Sequence, residues 1–173
     1  MRSTSNVCDP NEIFSESERY RLNTALQTLA TRSGGGKADF CDRKGIEAVL
    51  AVTDEGNQIF ADELTKKWAI DVQCQKFVLF VYSSNDEKVY MSSQAKSGIS
   101  ADDFKLINDQ YKNQLQNGDK AKLLAAMLKD IGNTKYGEER NTHPVHPGNS
   151  KTTNSLRNLF AVFIALILTF IFL

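Results

Sequence analysis

Two uninterrupted apolar runs of strand length, residues 46–53 (IEAVLAVT) and 77–82 (FVLFVY), flank a helical segment, and this pattern constrains the fold most. Neither run alternates with polar residues, so both strands must be covered on both faces. Between them, residues 57–69 place Phe60, Leu64 and Trp68 at helical spacing on one face. Strand, helix, strand with fully apolar strands implies a parallel pair joined by a right-handed crossover. Residues 83–87 read as a turn and 89–93 as a third strand, which makes a hairpin with the second.

Helices complete the pattern. Ser15 followed by Glu18 forms a capping box at the start of a helix over 12–32, with Leu22, Ala25, Leu26, Leu29 and Ala30 as its apolar stripe. Ser33-Gly34-Gly35-Gly36 ends it. No strand precedes these glycines and Ala38-Asp39-Phe40-Cys41 does not open a helix, so a flexible turn is expected rather than a phosphate loop. Ser100 with Asp103 caps a further helix carrying Phe104, Ile107, Tyr111 and Leu115. A last helix carries Leu123, Leu124, Met127, Leu128 and Ile131 and closes near Gly132. The expected fold is an α/β three-layer sandwich, with at least three strands and about four helices.

The C-terminus is of a different character. Residues 159–173 (LFAVFIALILTFIFL) carry no charge and no polar face, with Leu159, Phe160, Phe163, Leu166 and Phe170 as anchoring side chains. At about 1.5 Å per residue this run spans roughly 22 Å, and the preceding three residues bring it close to the roughly 30 Å hydrocarbon core. Two anchors fit: a transmembrane helix over 156–173, or a glycolipid-attachment signal with Gly148-Asn149-Ser150 as its small residues. Residues 133–155, polar and containing Pro144 and Pro147, read as a stalk, and 12–132 as the folded domain. Residues 1–11 read as an N-terminal segment shortened at its start, since no apolar signal run appears there. On the residues alone the side of the membrane stays open, and display of the domain outside the cell from the plasma membrane is one placement. A tail-anchored domain facing the cytosol is the alternative, with Arg157 on the flank.

Charge and cysteine narrow the function. The chain has 21 basic and 21 acidic residues, interspersed, so it lacks the basic face that nucleic acid requires. Of three cysteines, Cys41 precedes the first apolar strand by five residues and Cys74 the second by three. If those strands are parallel neighbours, both loops emerge at one end of the sheet, within reach of a disulfide in an oxidising compartment. The alternative is two unrelated loop thiols. Cys8 is left over, which fits a free thiol, an intermolecular bond or a partner in a missing N-terminal stretch; the last is the expectation, since it also accounts for the missing signal run.

Catalytic chemistry finds little to stand on. The only histidines, His143 and His146, lie in the stalk, with no third ligand near. The domain therefore has no histidine base for a nucleophile. Asp9, Asp54, Asp71, Asp86, Asp102 and Asp103 sit at loops or helix starts, where they serve equally as turn residues and first-turn acids.

The order of elements and several motifs resemble the TPM domain, and more closely its levamisole-receptor-modulator branch. The resemblance covers residues 8–132. It rests on Cys8-Asp9-Pro10 and Ile13-Phe14-Ser15 before the capped helix, IEAVLAVT, Lys67-Trp68-Ala69-Ile70, Cys74 with FVLFVYSS, the strand over 89–93, and the helix opening at Ser100. It implies an extracellular domain on a C-terminal anchor in the lipid bilayer, acting without catalysis as an auxiliary subunit of acetylcholine-gated ion channels. Other TPM domains are acid phosphatases or calcium-binding proteins. That makes a metal-dependent phosphatase the alternative, with Asp9 as candidate metal ligand and calcium as the cation. Against it, Glu12 stands where the entry glycine is expected, Gln75-Lys76 replaces the usual Asp/Asn-Gly, and only Gly98 remains of a glycine-rich stretch.

Overall fold

The computed structural model describes residues 5–136. The chain runs β1 (Val7–Cys8), α1 (Glu16–Ser33), α2 (Phe40–Arg43), β2 (Glu47–Thr53), α3 (Gln58–Trp68), β3 (Phe77–Ser83), β4 (Lys88–Ser93), α4 (Ala101–Leu115) and α5 (Lys120–Tyr136). The four strands lie in that order across one mixed sheet. β1–β2 and β2–β3 are parallel, and β3–β4 is antiparallel, with Phe80 opposite Met91.

The continuous apolar runs are explained by which face each residue takes. Leu50, Val52, Phe80 and Tyr82 alternate onto the face covered by α1, α4 and α5, where Leu22, Leu26, Phe104, Leu124 and Leu128 complete the larger core. Ala51, Phe77, Leu79 and Val81 point the other way, under α3. All seven residues of β3 are buried, as a central strand between two helical layers must be. The three-layer α/β arrangement agrees with the sequence reading.

Four details differ from it. The two-residue β1 adds a fourth strand, too short to show a period. Ala38-Asp39-Phe40-Cys41 does enter a helical turn: Asp39 caps α2, its carboxylate accepting the Asp42 amide at 2.7 Å. α5 continues past Gly132 to Tyr136. That glycine does not break the helix but lets it pass close to α1, since a Cβ there would stand 3.2 Å from Leu29 Cδ1. Residues 133–136, expected in the stalk, are therefore helical, and Tyr136 donates its hydroxyl to the Ser97 carbonyl at 2.7 Å. Finally, α3 turns Ala61 into the core, with Leu64 and Trp68 partly covered, while Phe60 stands 38% exposed at the rim.

Among the described residues no helix is long and apolar enough to cross a membrane. The expected anchor, with Leu159, Phe160, Phe163, Leu166 and Phe170, lies outside the described residues, as do His143 and His146.

Candidate functional site

The sheet brings the singled-out residues to two opposite ends. At the C-terminal end of the parallel strands, where ligands of open α/β sheets bind, stand Asp9, Asp54 and the 83–87 turn. Asp9 follows β1 directly, and its side chain is fully buried. One carboxylate oxygen accepts the Ile13 amide at 3.0 Å and the other the Phe14 amide at 2.9 Å, with Arg19 Nη1 at 3.6 Å. The carboxylate thus ties the turn that leads into α1, while Glu12 inside it takes the left-handed φ of 52° that a glycine would occupy without strain.

The neighbouring acids are engaged as well. Asp54 accepts Asn11 Nδ2 at 2.9 Å. Asp86 Oδ2 accepts the Tyr90 hydroxyl at 3.0 Å and lies 3.1 Å from Lys88 Nζ, while its Oδ1 is buried without a hydrogen-bond partner. A calcium ion needs six to eight oxygens, several of them carboxylate. Among the described residues no three His, Cys, Asp or Glu side chains converge on one point. With no such cluster around the buried Asp9, the described residues at this end of the sheet do not assemble the oxygen set of the cation that the wider resemblance suggests. Nor does any described residue supply a histidine base.

At the opposite end, the loops entering β2 and β3 are tied together. Cys41 and Cys74 form a disulfide, with Cα atoms 5.3 Å apart. Lys44 Nζ lies 2.6 Å from Asp71 Oδ1, and Asp71 Oδ2 accepts the Lys76 amide at 2.9 Å. The Lys76 ammonium donates to the carbonyls of Cys41 and of Lys44, the latter at 2.9 Å. Burial would raise the Asp71 pKa, but the Lys44 ammonium and the backbone donors outweigh it and hold the carboxyl below the usual range. Gln94 fastens the same loop from β4, its Nε2 donating to the Ile70 carbonyl at 3.0 Å and its Oε1 accepting the Phe77 amide at 2.9 Å.

Within this knot Ala69, Asp71 and Gln75 all take positive φ, at 46°, 54° and 56°. Three strained non-glycine residues in one loop persist only where their surroundings over-determine them. The sequence signals little of this, because none is glycine and only Asp71 is of a type enriched in that region. The Lys44–Asp71 and Lys76 contacts were equally hidden, joining residues about thirty positions apart. On the surface of the knot, Phe40 is 56% and Val72 67% exposed. Cys8 is unbonded and exposed on β1.

A family model described as modulator of levamisole receptor-1 matches residues 1–87, half of the chain. The chain belongs to this family. The match runs from β1 through β3 and includes both disulfide cysteines, so the resemblance read from the motifs holds. No curated protein matches the chain. Solved structures do share the fold. The N-terminal domain of a protein from P. gingivalis has a TM-score of 0.59 at 18% identity, covering 83% of this chain and 90% of that one. BA42 from Bizionia argentinensis gives 0.55 at 13%, over 73% and 86%. The N-terminal domain of cg2496 from Corynebacterium glutamicum gives 0.54 at 10%, over 87% and 95%. At these identities the likeness speaks for the fold alone.

Proposed function

We propose that this levamisole-receptor-modulator family member is an extracellular, membrane-anchored auxiliary subunit that modulates acetylcholine-gated cation channels without catalysis. The observation that carries the reading is the family match over residues 1–87. The Cys41–Cys74 disulfide supports it, because such bonds persist in oxidising compartments and are rare in the cytosol. The Asp9 carboxylate supports a binding role over a phosphatase, since it is buried in its own turn, accepting two main-chain amides, with no cluster of further ligand side chains around it among the described residues.

The test is co-expression of the full chain with levamisole-type acetylcholine receptor subunits in oocytes, recording agonist-evoked current under voltage clamp. The expected result is a changed current amplitude or desensitisation rate at equal receptor surface density. Unchanged currents, with the chain detected at the cell surface beside the receptor, would overturn the proposal. An epitope at the N-terminus, stained without permeabilisation, reads the orientation in the same cells.

A further inference from the structure

β4 is an edge strand, paired only with β3. The Gln94 amide donates back to the Phe77 carbonyl, so the even-numbered residues of β4 face β3 and Val89 and Met91 face outward. Their outward carbonyls are met by side-chain amides from two helices. Gln58 Nε2 of α3 donates to Met91 O at 2.8 Å, and Asn108 Nδ2 of α4 donates to Val89 O at a long 3.4 Å. The outward amides of Val89 and Met91 have no acceptor among the described residues. Both residues are buried, 3% and 6% exposed, so these donors lie at the floor of a groove rather than on an open surface.

That groove, a cavity of about 330 Å³, runs between Gln58 on one wall and Phe104, Asn108 and Lys112 on the other. An unpaired strand edge is a template for another strand, and proteins usually block it with charge or with covering side chains. Here the block is two neutral amides, each removable by rotating one side chain. The rim is of mixed charge with one cation left over: Glu87 is paired with Lys120 at 2.9 Å, Lys88 with Asp86 at 3.1 Å and Lys105 with Asp109 at 2.6 Å, whereas Lys112 has no carboxylate within ion-pairing distance among the described residues.

We infer that the outer edge of β4 is a docking site for an extended, acidic peptide segment of a partner protein, added as a fifth strand. Its main-chain carbonyls accept from the Val89 and Met91 amides, and its own amides displace those of Gln58 and Asn108. Its side chains alternate between the Phe104 wall and the Gln58 wall, with a carboxylate at Lys112. Main-chain bonds carry most of the affinity in strand addition, so a generic peptide is a fair probe. The inference stands apart from the receptor reading, because it is tested on the chain alone.

The experiment follows amide hydrogen exchange in the full-length, isotope-labelled chain in detergent micelles, titrated with a short peptide alternating valine and glutamate. Exchange at Val89 and Met91 should slow by about tenfold at saturation. The same peptide N-methylated on alternate amides should have no effect, and one with lysine for glutamate a weaker one. Gln58→Ala, which frees the Met91 carbonyl, should tighten binding, and Lys112→Glu should weaken it. Unchanged exchange at both amides with millimolar peptide, in the native chain and in Gln58→Ala alike, overturns the inference. So does equal protection by the N-methylated peptide.

Discussion

Cys41 and Cys74 are joined across the N-terminal ends of two adjacent parallel strands, 33 residues apart in sequence and 5.3 Å apart at their Cα atoms. The bond closes a loop that contains all of β2 and α3. In the chain-entropy treatment a loop of this length restricts the unfolded chain by about 3–4 kcal/mol. Replacing both cysteines by alanine should therefore lower the midpoint of thermal unfolding by roughly 10 °C. Calorimetry of the native chain with and without reductant, beside the double variant, checks it. A midpoint insensitive to reductant would mean that the Lys44, Asp71 and Lys76 contacts hold the loops by themselves.

The same loop offers a gain. Ala69 closes α3 in the left-handed conformation, with its amide donating to the Thr65 carbonyl. Glycine takes that conformation without the Cβ penalty, so Ala69→Gly should stabilise the domain by roughly 0.5–1 kcal/mol. Urea unfolding at equal slope reads it. A loss of stability would show that the Ala69 methyl makes a contact worth more than the strain.

How much of this was legible follows from the range of each interaction. Continuous apolar runs and helical periodicity are local, so β2, β3, α1, α4 and the Ser15 and Ser100 caps could be read directly, as could the shared end of Cys41 and Cys74. β1 was missed because two residues carry no period. The end of α5 was misplaced because Gly132 looks like a stop, yet the helix is held beyond it by Tyr136 on Ser97 and by Lys135 on Asp103. The Asp9 carboxylate was legible as a loop acid but not as a buried one that ties its own turn. Its partners are main-chain amides, which every sequence possesses.

The Lys135–Asp103 pair, 2.6 Å apart and under a third exposed on each side, gives a pH prediction. The Lys135 ammonium and then the Ser100 hydroxyl hold the Asp103 pKa at about 2, below its ordinary 3.8. A carboxyl depressed in the folded state contributes stability that is present above the ordinary value and is lost as pH falls towards about 2. Solvent screening leaves this at about 1 kcal/mol. Lys135→Met should therefore lower stability at pH 7 and flatten its fall between about pH 5 and pH 2. Denaturant midpoints across that range test the sign. A variant that keeps the native slope would assign the acid response to other carboxylates.

Asp9 separates a structural carboxylate from a catalytic one. It is buried and accepts two main-chain amides beside Arg19, so Asp9→Ala leaves both donors unpaired and should cost about 2–4 kcal/mol of folding stability. A metal ligand behaves differently: its removal relieves clustered negative charge and abolishes turnover while stability holds or rises. Equilibrium unfolding of the native chain and of Asp9→Ala, run beside a phosphate-ester assay with and without calcium or magnesium, sets the two roles apart. The expected outcome is a marked loss of stability and no metal-dependent turnover in either protein. Turnover in the native chain that disappears in a stably folded Asp9→Ala would instead make this domain a phosphatase, and the Asp9 turn its active site.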